Sequence, residues 1–140
     1  MNEPMPSMTA APRVDESLIT YTHVIYALHA LSVLIGLTTL HTVVLSFVGG
    51  LPSIVAVIMN YARRSATHGT FLESHFRWQI RTFWYALLWC VLLYLVALPL
   101  MIVLIGIPLF FGGWIALGIW IAYRVVRGWL ALKDRRPMYV

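Results

Sequence analysis

The chain has 140 residues, of which 61% are hydrophobic and 11% are charged. Soluble domains have roughly 45–50% apolar and about 25% charged residues. The composition therefore excludes a disordered chain, and it leaves too few charges to cover the surface of a soluble globule. The single cysteine, Cys90, excludes an internal disulfide and any zinc site with two cysteines. With a net charge of +5 in so apolar a chain, a membrane is a better partner than nucleic acid.

The first 20 residues are polar and contain three prolines and three carboxylates. No basic region precedes a short apolar core, so this segment does not have the pattern of a cleavable signal peptide. We expect residues 1–20 to form a short disordered cytoplasmic leader.

Two stretches, residues 24–59 and 82–123, contain no Asp, Glu, Lys or Arg over 36 and 42 residues. A helix needs about 20 apolar residues to cross a hydrocarbon core of roughly 30 Å. A single helix through either stretch would be about 54 Å or 63 Å long. Each stretch is therefore long enough for two crossings, which predicts two helical hairpins.

Polar residues and helix breakers predict where each hairpin turns. The polar cluster at residues 38–42 divides the first stretch, and Gly106 with Pro108 divides the second. The predicted spans are residues 21–37, 41–61, 83–104 and 108–127. The fold class is therefore an all-α membrane bundle in one transmembrane domain over residues 21–132. A single long tilted helix through the first stretch, with three crossings in total, remains the alternative.

The basic residues predict the orientation of the bundle. All ten Lys and Arg lie in the leader, between the two apolar stretches, or after the second stretch. Four crossings place these three segments on the same side of the membrane, and the positive-inside rule makes that side cytoplasmic. Both termini are therefore expected in the cytoplasm.

The segment 70–82 has the pattern of an amphipathic helix in the headgroup zone that leads into the third span. Thr70 and Glu73 have the spacing of a capping box. A helix lead-in is the simpler interpretation of this segment. The functional one is a polar interface site formed by Glu73, His75, Arg77 and Arg81.

Among the histidines, only His29 is expected deep in the membrane, where ionisable groups are candidate functional residues. His23 and His29 are six residues apart and would lie on different faces of one helix. The second apolar stretch contains no histidine to complete a haem site. We find no metal site, no cofactor site and no catalytic group pairing in the sequence, which predicts that the chain is not an enzyme.

Small residues predict close helix packing, because they let helix backbones approach each other in lipid. The candidate packing residues are Ser46, Gly49, Gly50, Ser53, Gly118 and Ala122. The basic C-terminal segment, with its tail at residues 133–140, is expected to bind anionic lipid headgroups rather than nucleic acid. The candidate headgroup ligands are Arg124, Arg127, Lys133, Arg135 and Arg136.

Four segments of the sequence carry a resemblance to a known family. They are residues 69–84, residues 22–31, the loop entry at 60–64, and residues 123–124 with 127–132. Together they resemble a family of small uncharacterised bacterial inner-membrane proteins that is distantly similar to the small multi-pass subunit of the chloroplast inner-envelope protein-import translocon. The resemblance implies a multi-pass protein of the bacterial inner membrane and no particular reaction.

The expected function is that of a structural or accessory subunit of a larger membrane complex, since the soluble segments are too short to shape a site of their own. The alternative is a homo-oligomeric conduit for peptides or small solutes, in line with the translocon resemblance. The polar residues that could line such a conduit are His29, Thr38, Thr39, Thr42, Ser46 and Ser53.

Overall fold

The computed structural model describes residues 13–38 and 43–138, and for residues 43–49 it describes the backbone only. All secondary structure in these ranges is helical. Four long helices are present: α1 (Glu16–Thr38), α2 (Val43–Arg63), α3 (Leu72–Leu100) and α4 (Gly106–Lys133). Short 3₁₀ turns, Arg64–Thr67 and Met101–Val103, follow α2 and α3. Residues 1–12 of the predicted leader (residues 1–20) and residues 39–42 of the polar cluster at 38–42, where the first turn is predicted, lie outside the described residues. Residues 16–20 of the predicted disordered leader are helical and belong to α1.

Helix α1 begins five residues before the predicted start at residue 21. The carboxylate of Asp15 accepts a hydrogen bond of 2.9 Å from the backbone N–H of Ser17, as an N-cap residue does. Hydrogen bonds from the side chain and the backbone of Ser17 hold the pKa of Asp15 below its ordinary value. The cap extends α1 to 23 residues, which is long enough for a full crossing.

Residues 72–82, which were predicted as part of an amphipathic helix, are the first turns of α3 and continue without a break into the third predicted span. The predicted capping box is wrong in detail. Glu73 accepts a hydrogen bond from the backbone N–H of Gly69 at 3.1 Å, whereas the Thr70 hydroxyl donates to the carbonyl of Thr67 at 2.8 Å. The reason is that the preceding 3₁₀ turn places the carbonyl of Thr67 beside Thr70, where it accepts from both the backbone N–H and the hydroxyl of that residue.

The hairpin between α3 and α4 turns where Gly106 and Pro108 predicted it. Pro99 lies in the last turn of α3, and Leu104 adopts a left-handed conformation with φ of +63°. Helix α4 begins at Gly106, where a side chain would collide with the backbone of Ala97 and Met101. Glycine is required there because the turn brings two backbones into contact.

Contacts between helix ends show that the helices alternate in direction. Glu16 at the start of α1 forms an ion pair of 2.8 Å with Arg135, just after α4. The Tyr21 hydroxyl, also near the start of α1, donates to the carbonyl of Met59 near the end of α2 at 3.0 Å. Both ends of the described chain therefore lie at the same end of the bundle as the turn between α2 and α3. We name it the basic end.

Three of the described helical segments are long and apolar enough to cross a membrane: α1, α3 with its following turn, and α4. The protein is therefore a helical bundle of membrane type, and a fourth crossing by α2 stays a prediction. Apolar side chains near the turn between α3 and α4 are highly exposed, with Ile102 at 87% and Leu104 at 71%. Such exposure is expected where lipid rather than water surrounds a helix.

Candidate functional site

The buried polar residues concentrate at the basic end, where His75 on α3 is fully buried. Its Nε2 atom lies 2.7 Å from the carbonyl oxygen of Arg136, and its Nδ1 atom lies 2.9 Å from the Tyr26 hydroxyl. A carbonyl can only accept, so Nε2 carries the proton. In the neutral ring Nδ1 therefore accepts from Tyr26. One imidazole thus joins α1, α3 and the C-terminal segment, and we name this group the His75 cluster.

Two further contacts complete the His75 cluster. Helix α4 approaches the ring of Tyr26 at Gly128, where an added Cβ would lie 2.5 Å from the Tyr26 oxygen. The Ser74 hydroxyl accepts a hydrogen bond of 2.9 Å from the backbone N–H of Met138, which is itself buried. The C-terminal segment is therefore packed onto α3 through its backbone.

A second polar group links α4 to α3 and α1 through indole rings. Arg124 donates to the Thr82 hydroxyl at 2.7 Å, and its guanidinium lies 3.7 Å from the centre of the Trp78 ring. Trp78 in turn donates to the Arg124 carbonyl at 3.2 Å, and Trp129 donates to Nδ1 of His23 at 3.0 Å. Arg124, which was predicted to be a headgroup ligand, therefore makes a cation–π contact and a hydrogen bond within the bundle, and its binding of headgroups stays a prediction.

The predicted polar interface site is not assembled in the structure. Glu73 and Arg77 pair at 3.2 Å on an exposed face, and Glu73 also lies 3.5 Å from His68. His75 is two residues from each of them, about 200° around the helix, and lies in the core. Arg81 contacts the ring of Tyr85 instead, at 6.0 Å. Helical geometry therefore separates His75 from the other three residues of the predicted site.

The remaining predicted headgroup ligands are exposed at the basic end. Arg127 donates to the Tyr123 hydroxyl at 3.0 Å, and Arg136 pairs with Asp134. Arg135 pairs with Glu16, as described above. The side chain of Lys133 is exposed and makes no ion pair with the described residues. Exposed ion pairs of this kind contribute little to stability, about 0–1 kcal/mol each, so these cations stay available to lipid. Their binding of anionic headgroups stays a prediction.

His29, the predicted intramembrane residue, lines a cavity between the helices. Its side chain is buried, at 6% exposure, and its Nδ1 lies 3.1 Å from the Ser53 hydroxyl on α2. The cavity has a volume of about 370 Å³ and is lined by residues of all four helices. Thr82 and Cys90 of α3 also line it, which the sequence did not predict.

The predicted packing residues have different outcomes. Ser46 and Gly49 lie where side chains are not described. Gly50 lines the cavity, and an added Cβ there would meet no described atom within 4 Å, so its role in helix packing stays a prediction. Gly118 does pack closely, since its Cβ position lies 2.5 Å from the Leu37 side chain on α1. Ser53 bonds to His29, and Ala122 is half-buried.

Three side chains that the sequence did not single out have unusual surroundings. Asn60 and Gln79 are buried amides whose polar side-chain atoms have no hydrogen-bond partner among the described residues. Trp89 on α3 is 56% exposed. Hydrophobic patterning cannot find such residues, because their burial depends on how the helices are rotated against one another.

In the described residues, no group of three or more histidine, cysteine, aspartate or glutamate side chains could hold a metal ion. Comparisons with protein-family models, with curated proteins and with solved structures find no match. The site is therefore interpreted from its own geometry.

Proposed function

We propose that this chain is a small multi-pass inner-membrane protein that acts as an accessory or assembly subunit of a larger membrane complex. The observation that carries the proposal is the exposed face of α3 formed by Tyr85, Trp89, Leu92 and Val96. We name it the α3 docking face. These residues follow one another at helical spacing, and each is at least 40% exposed.

Trp89 is the residue of this face that favours a protein partner over lipid. Its indole N–H, like that of Trp120, has no acceptor among the described residues, whereas Trp78, Trp84, Trp114 and Trp129 all donate to one. Trp120 differs in that its ring lies against the Arg124 guanidinium, at 5.1 Å. Trp89 lies eight residues, or about 12 Å along the helix, beyond the last charged residue of α3. Tryptophan prefers the membrane interface, where its N–H meets water or headgroups. An indole at this depth is better satisfied by an acceptor on a neighbouring subunit.

Site-specific photocrosslinking at position 89 tests the proposal. With a benzophenone amino acid at position 89, we expect one discrete protein adduct in native membranes, reproducibly identified by mass spectrometry. The matched control is position 119, because Ile119 on α4 is equally exposed, at 62%. It is expected to label lipid only. Trp89→Phe should weaken co-purification of the same partner about fivefold, since it removes one hydrogen bond of about 1 kcal/mol.

Lipid adducts at both positions, or co-purification that is unchanged in Trp89→Phe, would contradict the accessory role. A pull-down of the wild-type chain in mild detergent supplies the reference set of partners. A partner counts only when it appears in both the pull-down and the position-89 adduct.

The conduit is the second candidate, and the cavity between the helices is the observation in its favour. Of the residues predicted to line a conduit, His29 and Ser53 do line this cavity. Thr38 instead donates to the carbonyls of Leu34 and Ile35 in its own helix. Most of the described lining is apolar, whereas wet channels present rings of carbonyls or charges to the permeant. The accessory role is therefore preferred.

The proposal includes four crossings with both termini in the cytoplasm. The alternation of helix direction supports it, because an even number of passes returns the chain to the side on which it started. The clustering of cations at the basic end supports a cytoplasmic position for that end. The family resemblance described above is consistent with this arrangement and stays a prediction.

A further inference from the structure

We propose that the cavity beside His29 binds an apolar, membrane-soluble ring compound through one carbonyl oxygen, the chemistry of an isoprenoid quinone. This inference goes beyond the accessory role and does not depend on it. It rests on the position of the cavity between all four helices, on the chemistry of its lining, and on one buried nitrogen without a hydrogen-bond partner among the described residues.

The cavity has the size and composition of a ligand site. Its volume of about 370 Å³ lies within the range of small-molecule pockets, which are mostly apolar with a few polar groups. Its walls come from all four helices and include two aromatic rings, Phe83 and Trp114. Planar rings prefer aromatic neighbours in offset or edge-on arrangements. A flat apolar compound therefore fits these walls better than a polar solute does.

His29 supplies the polar group that would orient such a compound. Its Nδ1 is held by Ser53 at 3.1 Å, but its Nε2 has no hydrogen-bond partner among the described residues. A buried polar atom without a partner is costly, and more so at membrane depth. When the Ser53 hydroxyl donates to Nδ1, the neutral ring carries its proton on Nε2. That N–H is then a donor without an acceptor, buried beside the cavity rather than open to it, and the proposal requires the imidazole ring to turn toward a carbonyl oxygen in the cavity.

Glycines leave room for the ligand. Gly36 on α1 and Gly50 on α2 both line the cavity, and an added Cβ at either would meet no described atom within 4 Å. A leucine at position 50 would therefore occupy cavity space without colliding with the described backbone. Gly112 on α4 is equally open but is exposed and does not line the cavity, so it offers a matched control.

The test is a titration of the purified chain in detergent micelles with decyl-1,4-benzoquinone, with thermophoresis as the readout. The same titration uses decylbenzene, which has the tail and ring but no oxygen. We expect saturable binding of the quinone to the wild type and to Gly112→Leu. Gly50→Leu should lose binding of both compounds. His29→Phe, which keeps an aromatic ring, should weaken quinone binding about tenfold and leave decylbenzene binding unchanged.

Unchanged decylbenzene binding in His29→Phe also shows that the cavity is still folded in that variant. Three results would each overturn the proposal. They are quinone binding that is the same in Gly50→Leu and the wild type, equal affinity of the wild type for the two compounds, and no saturable quinone binding. Because the chain is tested alone, none of these results bears on whether it has a protein partner.

Discussion

Replacing Gly128 with alanine is expected to lower the free energy of unfolding by about 1–3 kcal/mol, the usual cost of forcing extra volume into a packed core. The added Cβ would lie 2.5 Å from the Tyr26 oxygen and 2.6 Å from its Cε1 atom. Tyr26 can relieve the overlap only by moving its ring, and this ring is held by the 2.9 Å hydrogen bond to His75. The substitution therefore disturbs the His75 cluster as well as the contact between α1 and α4.

Unfolding of the purified protein in mixed micelles, followed over a titration with sodium dodecyl sulfate, measures this change. Gly112→Ala is the matched control, since its Cβ would meet no described atom within 4 Å. Alanine is the better helix former, so the control is expected to be neutral or stabilised by up to about 1 kcal/mol. A Gly128→Ala protein as stable as the control would show that α1 and α4 do not pack as described.

Replacing His75 with alanine is expected to cost about 3–5 kcal/mol, because it removes a buried ring and two hydrogen bonds at once. The Tyr26 hydroxyl loses its acceptor, and the Arg136 carbonyl loses its donor. The C-terminal segment should then leave α3, so that carboxypeptidase removes residues up to Arg136 faster than in the wild type. The same micelle titration and a time course of digestion measure the two effects.

Ser74→Ala is the control for His75→Ala, because it removes the hydrogen bond from the Met138 backbone, and the Ser74 bond to the Phe71 carbonyl of its own helix, while the His75 ring stays in place. We expect it to cost about 1 kcal/mol and to accelerate digestion less. If both variants lost the same stability, the His75 ring would not be the main link between α3 and the C-terminal segment.

Much of the fold could be predicted from the apolar stretches, because length without charge is the strongest signal of a membrane helix. The turn at Gly106 was predictable because a glycine and a proline interrupt 42 uncharged residues. The same glycine allows the turn to form. The start of α1 at Glu16 was missed, although Asp15 followed by Ser17 is a local capping signal. The amphipathic pattern of residues 70–82 correctly indicated helix, but no local signal separates a short helix from the first turns of a long one.

The site was less predictable, because it depends on which faces of the helices meet. The spacing of four residues along α3 accounts for the pair of Glu73 with Arg77, and the same helical geometry places His75 on the opposite face. The partners of His75 come from residues 26 and 136, which no pattern in one sequence connects to it. His29 is buried among the helices, and the cavity beside it is lined by Gly50, whose Cβ position meets no described atom within 4 Å although the sequence predicted close packing there.

We propose that four helices cross the membrane and return both termini to the cytoplasm. Cysteine accessibility is the most direct test of this topology. On a Cys90→Ser background, single cysteines replace Glu3, Ser65 and Leu104, and intact cells are treated with a membrane-impermeant maleimide. With four crossings, positions 3 and 65 are expected to react only after the inner membrane is opened, whereas position 104 is expected to react from the periplasm. Labelling of position 3 in cells with an intact inner membrane, with position 65 still protected, would establish three crossings and contradict the account.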